Sequence, residues 1–220
     1  MENPNFDIRK VESWEIKSFF KRYHGYGSVG ITSTYAFAVY EEGKIVAAFT
    51  WQPPIIGAAK SVSRDCYFGV LALSRMVAVD KAERKLKHIS KPLKYQMFRM
   101  IDRTRWPILI TYSDESMGHN GFVYECSKFK RTLRSEAIAY TDKDGARVSS
   151  YSSGENKNMD GYQRKIIFIQ RWENCIVKKE NCLRFMEKFG WERVPTGKKY
   201  RSGTWAFRIE KRDESRREHL

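Results

Sequence analysis

Residues 35–40 and 45–51 are apolar runs of small, β-branched and aromatic side chains, joined by the polar turn Glu41, Glu42, Gly43 and Lys44. Such a pair around a glycine-containing turn predicts a β-hairpin, which Pro53 and Pro54 close. Upstream, Trp14, Phe19, Phe20 and Tyr23 fall on a loosely helical spacing. They predict a helix over 13–23 capped by Ser13 and ended by the glycine loop 24–27, with His24 on an exposed turn. Residues 55–66 are polar and contain glycine, and predict a surface loop. Residues 68–79 form a long apolar run broken once, by Ser74 and Arg75. That run predicts a central strand, covered on both faces, with a charge embedded in it.

After a basic loop at 81–87, Ile89, Leu93, Met97, Met100 and Ile101 recur at helical spacing, and Ser90 with Pro92 marks the helix start. Lys91, Lys94, Arg99 and Arg103 occupy the other face, which reads as solvated. A buried strand over 107–113, a short helix over 119–128 and a hairpin at 134–141 with its turn at 142–145 follow. The polar, turn-rich stretch 152–161 reads as a linker or mobile lid. Then come a strand at 165–170, a helix at 182–189 stopped by Gly190, a hairpin over 191–209 and a charged, frayed tail at 210–220. The order α, ββ, β, α, β, α, ββ predicts an α/β (α+β) domain spanning 1–220, with a mixed central sheet flanked by helices.

Composition changes this picture in three ways. The 220 residues are 41% apolar and 14% aromatic, enough for a substantial core and unlike a disordered chain. No stretch approaches the roughly 18 uncharged apolar residues of a membrane span, so an intracellular, cytoplasmic protein without membrane contact is expected. Lys and Arg outnumber Asp and Glu by 41 to 26, a formal charge of +15 that seeks polyanions, of which nucleic acid is the commonest. Cys66, Cys126, Cys175 and Cys182 form no C-x-x-C pair and read as reduced thiols.

In open α/β sheets ligands collect at the carboxyl ends of strands. Residues 111–124, the junction after the strand at 107–113, bring together Tyr112, Asp114, His119 and Tyr124 there. Asp114 is placed to act as a general base, a metal ligand or the orienting partner of a histidine, or else to cap the next turn. His119, flanked by Gly118 and Asn120 at a helix start, is held neutral by the helix dipole or simply fixes its loop. Tyr124 offers a hydroxyl or a core ring. Arg75, embedded in apolar sequence, must meet an anion, either Asp114, Asp65 or a substrate group. Ser90 is a cap or a cofactor contact. Tyr23 and Tyr26 beside His24 can stack on a base. His24 and Asp114 supply nitrogen and oxygen ligands suited to a mononuclear iron.

The order of elements resembles the GNAT acyltransferases, in which a central strand leads to a helix whose N-terminus holds the pyrophosphate of coenzyme A. Residues 73–76, 110–114 with 118–121 and 123–124, 144–148 and 197–200 are similar to the Mom family of Mu-like phages, over roughly residues 20–205. The resemblance implies an enzyme that converts adenine in phage DNA to an N6-carbamoylmethyl derivative, protecting it from restriction in the cytoplasm of an infected bacterial host. It further implies double-stranded DNA as partner and functional positions at His24, Arg75, Asp114 and Tyr124. Ser90 stands at the helix start where GNAT enzymes hold their cofactor. One departure bears on the donor. The usual glycine-rich turn before the helix is here 79–90, which contains no glycine. Backbone amides approach a pyrophosphate best where side chains are absent, so an acyl-CoA donor fits poorly and the donor is unidentified. Two other readings of the chain stand beside this one: an acyl-CoA-dependent N-acyltransferase for a small amine or protein, and a DNA-binding protein without chemistry.

Overall fold

The computed structural model describes residues 7–24, 33–79, 86–143, 147–148, 151–152, 155–156, 161–199 and 205–212. In chain order the elements are β1 (Asp7–Val11), α1 (Lys17–Tyr23), β2 (Tyr35–Glu41), β3 (Lys44–Gln52), α2 (Ile56–Val62) and β4 (Val70–Ala78). The helix α3 (Lys91–Tyr95) continues on both sides into wider turns, Leu86–Ser90 and Gln96–Met100. Then come β5 (Ile108–Asp114), α4 (Phe122–Cys126), β6 (Lys130–Thr141), β7 (Arg147–Val148), β8 (Tyr151–Ser152), β9 (Glu155–Asn156) and β10 (Gln163–Cys175). The chain closes with α5 (Cys182–Lys188), β11 (Trp191–Lys199) and β12 (Trp205–Lys211).

The main sheet runs β1-β2-β3-β4-β5-β10-β6-β7. Its pairs are antiparallel except for β4 and β5, which run parallel. This is the mixed, helix-flanked sheet expected from the apolar pattern. The β2–β3 turn places Glu42 and Gly43 at positive φ, 51° and 73°, as a tight hairpin turn requires.

Strand alternation sorts the apolar residues onto two faces. Phe37, Phe49, Leu71 and Leu109 point to the side covered by α3 and α4, where Leu93, Met97 and Trp172 complete one core. Burying Leu93 and Met97 stabilises the fold by about 1.5–3 kcal/mol each. Ala59 and Val62 of α2 and Met186 of α5 cover Val70, Ala72, Ile108 and Ile110 on the other side. Ile16, Phe19 and Phe20 cover Ala36, Ala38 and Ala48 beside them.

Several expectations need correcting. The segment 55–66 is not a loop: it contains α2, because Ala59 and Val62, three residues apart, bury one helical stripe against β4 and β5. The first helix begins at Lys17 rather than at 13, since Ser13 Oγ is committed to Ser33 Oγ at 2.5 Å and caps nothing. Ser90 is not an N-cap either: the chain is already helical from Leu86, and Ser90 has helical angles.

Arg103 is not solvated. Burial lowers its pKa to about 10, and its guanidinium donates to Met97 O, Trp106 O, Pro107 O and both Oδ1 and O of Asn174. Cys66 and Cys182 are joined in a disulfide rather than reduced, leaving Cys126 and Cys175 free.

The strand expected at 165–170 runs from Gln163 to Cys175. Its charged half was unreadable as strand because Arg171 and Glu173 satisfy each other at 2.9 Å, with Thr132 and Lys179 completing the buried carboxylate's shell. Most of 152–161, the 81–85 part of the basic loop, part of the turn 142–145 and the tail beyond 212 lie outside the described residues. Among the described residues no helix is long and apolar enough to cross a membrane.

Candidate functional site

The strands β4 and β5 pair only through Val70–Ile108, Leu71–Leu109 and Ala72–Ile110. Beyond that point β4 continues to Ala78 and β5 to Asp114 with no further pairing between them. The parting follows from an extra residue: Leu73 faces Trp51 and Arg75 faces Thr50, so Ser74 is bulged out. Ser74 Oγ donates to Thr50 O at 3.0 Å and meets Thr50 Oγ1 at 2.9 Å, which pins the bulge. A wedge therefore opens in the middle of the sheet, at the carboxyl ends of both strands.

Four of the expected site residues gather around this opening. Arg75 is half-buried, and its position after the bulge sets it on the face that carries α1. His24 ends α1, with its amide donating to Phe20 O and its ring 5.7 Å from that of Phe20. It is half-buried, not on an exposed turn. His119 is exposed on the loop after β5, its amide donating to Asp114 O at 3.4 Å. Burial and then the nearby Arg75 and His119 side chains pull the His24 pKa from 6.5 down to about 4. The imidazole is thus neutral at pH 7 and able to accept a proton.

A stability consequence follows. Unfolded His24 takes up a proton near pH 6.5 and folded His24 only near pH 4. The native state is therefore favoured above pH 6.5 and loses that advantage as pH falls to about 4. Solvent screens a half-buried group, so the loss should be about 1–2 kcal/mol. Urea midpoints at pH 7 and pH 4.5 should draw together in His24→Ala relative to the native chain, and an unchanged gap would refute the assignment.

Asp114 closes β5 and also caps the turn that follows. Its Oδ1 accepts from Ser116 N at 2.9 Å and Ser116 Oγ at 2.6 Å, while Oδ2 is buried. Tyr112 shares its sheet face, is 39% exposed, and has its pKa raised by burial against the opposing charge of Arg171. Tyr124 lies on the opposite face, in the core beside Phe129 and Trp172. Its hydroxyl donates to Tyr112 O at 3.4 Å, in the part of β5 that β4 no longer pairs, and burial raises its pKa. Ser90 is apart from the wedge: it is buried, donates to Val123 O at 3.3 Å and accepts from Ser127 Oγ through its carbonyl, joining α3 to α4.

Iron is not supported. Among the described residues no group of three or more His, Cys, Asp and Glu side chains is placed to hold a metal ion. The ionisable groups acting on His24 are Arg75 and His119, not carboxylates. Much of the segment that would cradle a pyrophosphate, 80–85, lies outside the described residues.

The sequence reading missed one group at the rim. Arg134 grips Glu115 through two bonds, Nε to Oε1 at 2.8 Å and Nη2 to Oε2 at 2.9 Å, and Gln170 Nε2 adds a third at 2.5 Å. These bonds hold the Glu115 carboxyl down to about 2. They tie the turn after Asp114 to β6 and β10. Partners 19 and 55 residues apart leave no local signal in sequence.

A model of the Mom protein family matches residues 5–189. A comparison with curated protein sequences returns no match. Among solved structures, the chain is similar to an acetyltransferase of Bacillus subtilis in complex with CoA, with 7% identity, 79% of this chain and 100% of that one covered, and a TM-score of 0.49. It is similar to the ribosomal-protein-S18-alanine N-acetyltransferase of Escherichia coli at 12% identity, covering 79% and 95%, with a TM-score of 0.48. A GNAT family acetyltransferase of Elizabethkingia anophelis with acetyl-CoA bound shows 10% identity, coverage of 79% and 100%, and a TM-score of 0.48.

Proposed function

Because the chain belongs to the Mom protein family, we propose that it is a DNA-modifying transferase that attaches a group to the N6 amine of adenine in double-stranded DNA, giving a carbamoylmethyl-type derivative that blocks restriction in the bacterial cytoplasm. The family match carries this reading. The wedge between β4 and β5 supports it, because neutral His24, Arg75, His119 and Asp114 converge at one strand-end opening that simple phosphate binding does not require.

An adenine inside a duplex cannot enter such an opening, so the base is extruded first, at a cost of a few kcal/mol. When the new bond forms at N6 the amine loses a proton, and we assign its capture to Asp114, with neutral His24 as the second acceptor. Arg75 supplies positive charge to the donor's anionic portion. The donor itself is unidentified. An acyl-CoA-type thioester would release its thiol and leave an N6-acyl group rather than a carbamoylmethyl group, and the glycine-free turn at 79–90 argues further against its conventional cradle.

Mass spectrometry of nucleosides from bacterial DNA decides the matter. Cells expressing the native chain should yield a deoxyadenosine of increased mass that is absent without it, and the increase identifies the transferred group. Unmodified DNA in the presence of abundant folded protein would reject base modification and favour acyl transfer to another amine or DNA binding alone.

A further inference from the structure

The strand β5 ends at Asp114, which pairs with Ile169, yet β10 begins at Gln163 and stays paired with β6 along the whole of that extra length. Residues 163–168 and 136–141 therefore form a ribbon projecting past the candidate site by about 20 Å, at roughly 3.4 Å per residue, two-stranded as far as Ala139 and widened by β7 at Tyr140 and Thr141. Cross-strand partners on one of its faces, from root to tip, are Gln170–Arg134, Phe168–Glu136, Ile166–Ile138 and Arg164–Tyr140. Ile138 and Ile166 are 50% and 60% exposed. The Arg134 guanidinium lies 3.9 Å from the Phe168 ring centre. On the opposite face Ile167 and Ala139 are buried, so the exposed face is not merely a strand with no inside.

A paired isoleucine patch facing solvent at the tip of a ribbon is costly unless something covers it. The charge around it selects the partner. Arg134, Lys143, Arg164 and Lys165 are exposed near it, with Lys130 and Arg131 farther along β6, against Glu136 and Asp142 among the described residues of these strands and the turn beyond. The two-stranded part of the ribbon, which carries the Ile138–Ile166 pair, is also the right width for the major groove of B-form DNA, about 12 Å.

Resting on the DNA-modification reading above, we propose that the β6–β10 ribbon is the arm that grips duplex DNA, its Ile138–Ile166 pair pressed against base edges while Arg164, on the same face, meets a flanking phosphate. The arm is rooted at the site itself, because Glu115, next to Asp114, is held by Arg134 of β6 and Gln170 of β10. A duplex seated on the ribbon would present its bases beside the wedge.

The test measures affinity for a short adenine-containing duplex by fluorescence anisotropy across a salt series. Compared are the native chain, Ile138→Ser with Ile166→Ser, and Arg164→Gln. The double variant should lose about tenfold or more in affinity at fixed salt while keeping the native salt slope, since it removes apolar contact and no phosphate contact. Arg164→Gln should shrink the slope of log affinity against log salt by about one. Native affinity and slope in both variants would overturn the proposal. So would a fall from dimer to monomer in the double variant, which would make this face a contact between copies. Should the double variant melt early, Arg164→Gln, at an exposed position, decides alone. Binding is read without chemistry, so failure of the nucleoside experiment and failure of the ribbon remain separate results.

Discussion

DNA from cells carrying Asp114→Asn is expected to hold at least about 100-fold less modified deoxyadenosine than DNA from cells with the native chain, at equal soluble protein, because a positioned general base contributes about 10²–10⁴-fold. Asparagine is the informative replacement. Asp114 Oδ1 accepts from both Ser116 N and Ser116 Oγ, and an amide oxygen can do the same, so the turn at 115–117 survives the change. Alanine would delete the cap as well, at about 1 kcal/mol, and would mix a structural loss with a chemical one. The asparagine variant should therefore unfold at the native urea midpoint, bind duplex normally and fail only in chemistry. If it modifies DNA at a near-native level, Asp114 is a turn cap and the proton must go elsewhere, with His24 next in line. His24→Ala in the Asp114→Asn background would then show whether neutral imidazole carries the reaction.

The residues of the site divide by whether their partners are near in sequence. The hairpin β2–β3, the strands β4 and β5 and the helical stripe of Leu93 and Met97 were legible because burial on a sheet or helix face imposes a period on the chain itself. The junction at 111–114 was legible for the same reason: a buried strand ending in Asp114 puts chemistry at a known edge. The rest depends on contacts that no local pattern records. Arg75 read as an embedded charge needing an anion, but its side chain stands at the mouth of the wedge created by the Ser74 bulge. Arg103 read as a solvated helix position, but the chain leaves the helix at Ile101 and its guanidinium turns inward to five oxygens. Cys66 and Cys182 are 116 residues apart, and only the packing of α5 beside the start of β4 brings them together. The segment 55–66 was misread because the packing of Ala59 and Val62 outweighs the weak helix propensity of Gly57.

The same limit hides the reason for Gly121, and it leads to the largest expected effect on stability. Gly121→Ala should cost about 2–5 kcal/mol, combining about 1–2 for a side chain in the left-handed region with about 1–3 for overpacking. Gly121 has φ +82°, and a Cβ there would lie 1.9 Å from Trp172 Cζ2. The indole has no easy retreat: it is buried, its Nε1 donates to Ser113 Oγ at 2.9 Å, and its ring lies 5.9 Å from that of Tyr124. Gly118, three residues earlier, supplies the control. Its φ is +72° and nothing lies within 4 Å of an added Cβ, so Gly118→Ala should cost only the backbone part, about 1–2 kcal/mol. Urea unfolding of the two variants thus separates conformational strain from collision. A clear excess for Gly121→Ala marks the close approach of α4 to Trp172, whereas equal costs would mean that the indole yields freely. Because Trp172 also holds Ser113, the neighbour of Asp114, displacing the indole should lower modification of adenine as well, while Gly118→Ala leaves that support in place.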